Sequence, residues 1–163
     1  IKVPVFSTLD HGEELLQKFS YLFNKKINSP TYFQPPLELK HIDSNDEFCI
    51  NDVNIKSNYQ KHGNTYSVGY TFNNLFSYST DISQINQNHI DMLKGIDLWI
   101  VDSLREQPHE AHAHHSLTFD WINEVKPKRA ILTHLGVTAD YVRLLSICPS
   151  NVEPGYDGQT INL

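Results

Sequence analysis

Two short runs of apolar residues constrain this chain more than anything else in it. Leu98-Trp99-Ile100-Val101 and Ala130-Ile131-Leu132-Thr133 have almost nothing to turn towards water, so each reads as a strand buried on both faces. Between them, residues 117–125 carry apolar side chains at helical spacing and stop before Pro127, because a residue ahead of proline is pushed out of the helical region. Residues 141–145 continue as a further helix. A strand–helix–strand–helix order demands a sheet with helices packed on it. The expected fold class is therefore α/β (α+β).

Upstream, residues 3–7 read as a strand, and Thr8 or Asp10 can cap a helix carrying Leu15, Leu16 and Phe19 on one face. Residues 24–36 hold Asn28, Ser29, Pro30, Pro35 and Pro36, which is the composition of a loop. Residues 37–42 and 53–59 alternate apolar and polar, as half-buried strands do. Residues 67–72 and 75–79 are expected to form a hairpin with Asn73-Asn74 as its turn. A helix over 85–93 closes on Gly95 as a left-handed cap.

A length of 163 residues fits one domain, and 39% hydrophobic with 20% charged residues places the chain among globular proteins. No apolar run approaches the roughly 20 residues of a membrane span, so no membrane partner is expected. A net charge of -6 argues against an extended nucleic-acid surface, which is basic. Cys49 and Cys148 form no Cys-x-x-Cys pair and suggest inert thiols in a reducing cytoplasm. The chain opens Ile1-Lys2-Val3-Pro4-Val5, already strand-like and without Met, and reads as a piece of something longer.

The residues that carry chemistry gather at strand ends. His62 follows the 53–59 strand and precedes Gly63, Asp81 follows Phe76-Ser77-Tyr78-Ser79-Thr80, and His134 follows Thr133. Strand ends are rigid and converge on one edge of a sheet, as a metal or catalytic site requires. Two imidazoles and a carboxylate suit zinc, manganese or iron. Taken singly, each residue also suits a turn, a cap or a structural histidine. Beside them, Pro108-His109-Glu110-Ala111-His112-Ala113-His114-His115-Ser116 concentrates four of the nine histidines. Histidine serves both proton transfer near neutral pH and metal binding, although a solvated, His-rich helix start is the plainer alternative.

The order KHGNTYSVGYTF, FSYSTDIS, LWIVDSLREQPHEAHAHHSLTFDWI, PKRAILTHLGVTADY, VEPGYDG resembles the metallo-β-lactamase superfamily. The likeness is strongest to the branch of phosphoribosyl cyclic phosphate phosphodiesterases and related metal-dependent hydrolases. The resemblance implies that residues 1–163 form the carboxy-terminal portion of one αββα sandwich domain. It implies two divalent cations, Zn or Mn, with His62, Asp81 and His134 as ligands and Asp81 bridging. A shared anion offsets the repulsion of two cations roughly 3.5–4 Å apart, which activate a water between them.

By the same resemblance, His112 oriented by Asp102 is the general acid; His109 and His114 read either as phosphate contacts or as solvated side chains, and Arg105 either as a phosphate contact through its planar fork or as a surface salt bridge. The family's His-x-His-x-Asp-His motif is absent from this sequence, and roughly a hundred residues would be expected upstream. Metal binding by the chain as given is therefore expected to be weak or absent. The implied function is hydrolysis of a small cyclic or nucleotide-like phosphate ester. Other members hydrolyse RNA, thioesters or lactones. A non-catalytic role, as a folding or interaction half that pairs with the missing half or forms a homodimer, is the reading of another class.

Overall fold

The computed structural model describes residues 1–26 and 28–163; Ile27, inside the loop expected over 24–36, lies outside the described residues. The chain packs as two compact units, Ile1–Ser44 and Asn45–Leu163. In the first, β1 (Val3–Ser7) and β2 (Leu37–His41) pair in parallel. Parallel strands need a crossover, here α1 (Leu9–Lys18) and α2 (Ser20–Phe23). Thr8 takes the N-cap position of α1 without a side-chain cap bond, and Phe19 falls just past the helix end. Gly12 lets α1 lie close to β2, since a Cβ there would come 2.9 Å from Leu39 Cδ2.

The second unit holds a seven-stranded sheet in sequential order, β3 (Glu47–Ile50), β4 (Val53–His62), β5 (Thr65–Phe72), β6 (Phe76–Ser79), β7 (Leu98–Asp102), β8 (Arg129–Thr133) and β9 (Val152–Pro154). The first four strands run antiparallel and the last four parallel. The turn between β5 and β6 falls where expected: Asn73 and Asn74 have φ of 51° and 53°, the left-handed central pair of a turn closed by the Leu75 N–H on the Phe72 carbonyl, in a three-residue loop since Phe72 pairs with Phe76. The crossovers are α3 (Gln87–Leu93), α4 (His115–Val125) and α5 (Tyr141–Ile147). Asn86 caps α3 by accepting the His89 N–H, and Gly95 follows its end at φ 71°.

One face of the sheet carries the core. Trp99 and Val101 of β7, Ala130 and Leu132 of β8 and Val152 of β9 pack against Ile90, Leu93, Trp121, Ile122, Val125 and Leu144 of the three helices. Burying a side chain of this size is worth about 1.5–3 kcal/mol, so this face dominates the stability of the unit. Among the described residues, no helix is long and apolar enough to cross a membrane. Cys49 and Cys148 are free thiols.

The pairing directions have one consequence for function. β4, β6, β7 and β8 all point the same way, so their carboxyl ends share one edge of the sheet. That edge is where ligands bind in open α/β sheets.

Candidate metal centre

His62 is the last residue of β4 and Asp102 the last of β7; Asp81 and His134 stand just past β6 and β8. Asp81 and His134 both hold left-handed backbone, at φ 55° and 59°. A non-glycine residue there costs of order 1–3 kcal/mol and persists only where its surroundings impose it. Around Asp81 those surroundings are explicit. Ser67 Oγ donates to the Asp81 carbonyl at 2.8 Å, and Gln60 Nε2 to the Thr80 carbonyl at 2.9 Å. The Ile82 N–H donates to Asp102 Oδ2 at 3.1 Å.

The side chains converge. His134 Nε2 lies 3.7 Å and His112 Nδ1 3.9 Å from Asp81 Oδ1. The His112 ring stacks on His134 at 4.5 Å and meets His62 edge-on at 4.7 Å. One donor atom each from His62, Asp81 and His112 fall within 4.8 Å of one another. Donors about 2.0–2.1 Å from a tetrahedral zinc ion stand roughly 3.4 Å apart, close to the 3.7 Å between His134 Nε2 and Asp81 Oδ1. The donor set therefore fits a divalent cation.

Two bonds fix the imidazoles. His62 Nδ1 lies 2.8 Å from the Ala111 carbonyl. A carbonyl only accepts, so Nδ1 carries the proton and Nε2 keeps the lone pair a metal needs. Gly63, at φ 56°, makes this approach possible: a Cβ on it would stand 3.2 Å from Ala111 Cβ. His112 Nδ1 donates to Asp102 Oδ2 at 2.9 Å. Asp102 is wholly buried and its Oδ1 has no partner among the described residues. Burial pushes its carboxyl up from the ordinary value, against the pull of the bonds from His112 and Ile82.

The remaining histidines of the cluster separate. His109 lies 5.1 Å, ring to ring, from His112, and its Nδ1 accepts the Ala111 N–H, which puts its own proton on Nε2. It shares with His62, Thr65, Glu110 and Arg105 an open groove of about 970 Å³. Arg105 braces the histidine loop by donating to the carbonyls of Gln107 and Pro108. His114 does not join the cluster. It is the N-cap of α4, with Nδ1 accepting the Leu117 N–H at 3.3 Å and meeting Ser116 Oγ at 2.9 Å. His115 is buried, its Nδ1 2.8 Å from Ser103 Oγ.

The backbone partners of this site, the Ala111 carbonyl above all, have no sequence signature. Glycine at 63 was the one available signal, because it permits both the left-handed turn and the close approach.

With that geometry in place, comparison with known proteins is informative. Residues 1–135 match the family model described as the beta-lactamase superfamily domain. The chain belongs to that superfamily. Its fold is the metallo-β-lactamase fold, and the family is hydrolytic. A solved diphosphatase of the PhnP family is 22% identical, with a TM-score of 0.85 over 98% of this chain and 57% of that one. The metallo-β-lactamase fold protein YhfI from Bacillus subtilis is 14% identical, TM-score 0.74, over 97% and 64%. Zn2+-bound PqqB from Methylobacterium extorquens is 10% identical, TM-score 0.74, over 99% and 65%. The chain thus spans less than two thirds of the length of each. No curated protein matches it in sequence.

Proposed function

We propose that the intact protein is a metal-dependent phosphodiesterase acting on a small phosphate ester. The observation that carries the reading is the His112–Asp102 bond of 2.9 Å, set directly beside Asp81, with His134 Nε2 3.7 Å from Asp81 Oδ1 and the His62 ring 4.7 Å from that of His112. In this reading His62 Nε2, an Asp81 oxygen and His134 Nε2 would hold the cation, and an imidazole-rich set favours zinc over manganese. A divalent cation held there supplies Lewis-acid chemistry at a phosphoryl oxygen. A second cation belongs only to what the resemblance implies.

The chain's own residues do the rest. Asp102 holds His112 with Nδ1 protonated and offsets the charge of its imidazolium. His112 Nε2–H then delivers a proton to the departing oxygen, which would otherwise leave as an alkoxide. The Nε2–H of His109 and the free N–H groups of Arg105 line the adjoining groove and suit the non-transferred phosphate oxygens.

A second reading has its own support. One donor atom each from His62, Asp81 and His112 lie within 4.8 Å of one another, a set in which His112 is a ligand instead of the acid. One experiment separates the two. His112→Ala is measured for metal content and for turnover of diesters with a good and a poor leaving group. A general acid leaves metal content unchanged and costs roughly 10²–10⁴-fold with the poor leaving group, much less with the good one. Loss of metal, or an equal cost for both substrates, assigns His112 to the ligand set.

A further inference from the structure

On the far side of Arg105 from the metal centre, a separate cavity of about 280 Å³ lies between the histidine loop and α5. Its lining includes Arg105, Glu106, His115, Asp140, Arg143 and Leu144. Neither the fold nor the proposed reaction uses it. It is smaller than the roughly 300 Å³ at which sites for drug-sized ligands begin, so any ligand is small.

Two arginines and two carboxylates line it, and they are not all paired with one another. Arg143 pairs with Glu106 at 2.6 Å, and its backbone N–H bonds Asp140 Oδ1 at 2.8 Å. Glu106 is thereby charge-paired, while Asp140 accepts a neutral N–H as the N-cap of α5. Arg105 has two neutral carbonyls as partners, which leaves its charge unpaired and part of its guanidinium fork free. Such a cation is conspicuous in a chain of net charge -6.

The second group is His115, with 6% of its surface exposed. The Ser103 hydroxyl is wholly buried, and its partner is His115 Nδ1 at 2.8 Å. A buried hydroxyl has to donate, and here Nδ1 is the acceptor. The imidazole proton therefore sits on Nε2, and no acceptor for that N–H is found among the described residues. Burial pushes the imidazole pKa down, against the pull of Glu106. Complete burial of Ser103 also rules out a nucleophilic Ser–His pair at this position.

We infer that this cavity is a binding site for a small tetrahedral oxyanion, phosphate or its chemical equivalent, held by the Arg105 guanidinium and the His115 Nε2–H. Planar guanidinium and imidazole N–H groups are matched donors for such oxygens. Because Arg105 also lines the His62–His109 groove, the bound anion would sit one guanidinium away from the proposed substrate path. Arg105 is shared with the proposed substrate groove but His115 is not, so a response at His115 reports this site separately from the phosphodiesterase reading.

The test is a titration of the intact, metal-free protein with inorganic phosphate, followed by the imidazole signals in nitrogen-resolved NMR. The expected result is a saturable shift of the His115 Nε2–H signal, weakened at least about tenfold in Arg105→Met and weaker for acetate than for phosphate. Phosphate bound only in the groove would move His62 and His109 and leave His115 still, which would overturn the assignment. So would an Arg105→Met protein that titrates like the wild type. Acetate binding as tightly as phosphate would refute the tetrahedral class. Because no substrate or metal is present, failure of the proposed activity leaves this result standing, and the converse holds.

Discussion

Replacing Gly63 by alanine should damage the metal centre without touching any ionisable group. Gly63 holds φ 56°, and an added Cβ would come 3.2 Å from Ala111 Cβ and 3.5 Å from Ala111 Cα. Two separable penalties follow. A left-handed alanine costs roughly 1–2 kcal/mol whatever surrounds it. Pushing Ala111 away also stretches the 2.8 Å bond from His62 Nδ1 to the Ala111 carbonyl, a further ~0.5–1.5 kcal/mol. The expected destabilisation is therefore about 1.5–3.5 kcal/mol by urea unfolding. In addition, His62 should lose its single tautomer, which nitrogen NMR of the imidazole reads directly.

A double-mutant cycle with Ala111→Gly isolates the second penalty, since that change removes the clashing Cβ but leaves the φ strain. Rescue of the tautomer with only partial rescue of stability is the expected pattern. If Gly63→Ala left the His62 tautomer fixed, or if Ala111→Gly restored nothing, the Ala111 carbonyl would not be what orients His62.

Two other outcomes are expected. His89 is 3% exposed, and burial lowers its pKa from 6.5 to about 4; a folded pKa below the unfolded one means that the unfolded chain takes up the proton first. Its contribution is present above pH 6.5 and lost as pH falls towards about 4, a loss of about 3 kcal/mol in all, and His89→Leu should flatten that slope in urea unfolding measured across the window. Asp102→Asn keeps an acceptor for His112 and Ile82 but removes the charge, so turnover should fall roughly 10²–10⁴-fold while metal content holds; loss of metal would place Asp102 in support of the ligands instead.

What the sequence made legible follows from how each feature is encoded. The runs at 98–101 and 130–133 became β7 and β8 because a strand buried on both faces cannot hide its composition. Asn73-Asn74 and Gly95 marked their turns through the left-handed backbone that they tolerate. β4 was read only to residue 59 and runs to His62, since polar Gln60, Lys61 and His62 break the alternation at the site itself. β3 and β9 went unread: the first has four residues, and the second is three long and ends in Pro154. At the free edge of a sheet, a strand needs neither length nor a full set of donors.

The same reasoning explains why the histidine cluster could be found in the sequence but not sorted. Spacing alone puts His109, His112, His114 and His115 on an equal footing. Their fates were decided by acceptors elsewhere in the chain. Buried Asp102, at the end of β7, takes the Nδ1–H of His112. Ser103, one residue on, takes up His115, and α4 turns His114 to its own first turn. Successive residues of a strand end point to opposite sides of the sheet, so Asp102 and Ser103 draw two neighbouring imidazoles apart. One is set beside the metal group, and the other at the anion cavity. The end of β7 is thus the place where one histidine-rich segment is divided between two chemistries, with Arg105 standing between them.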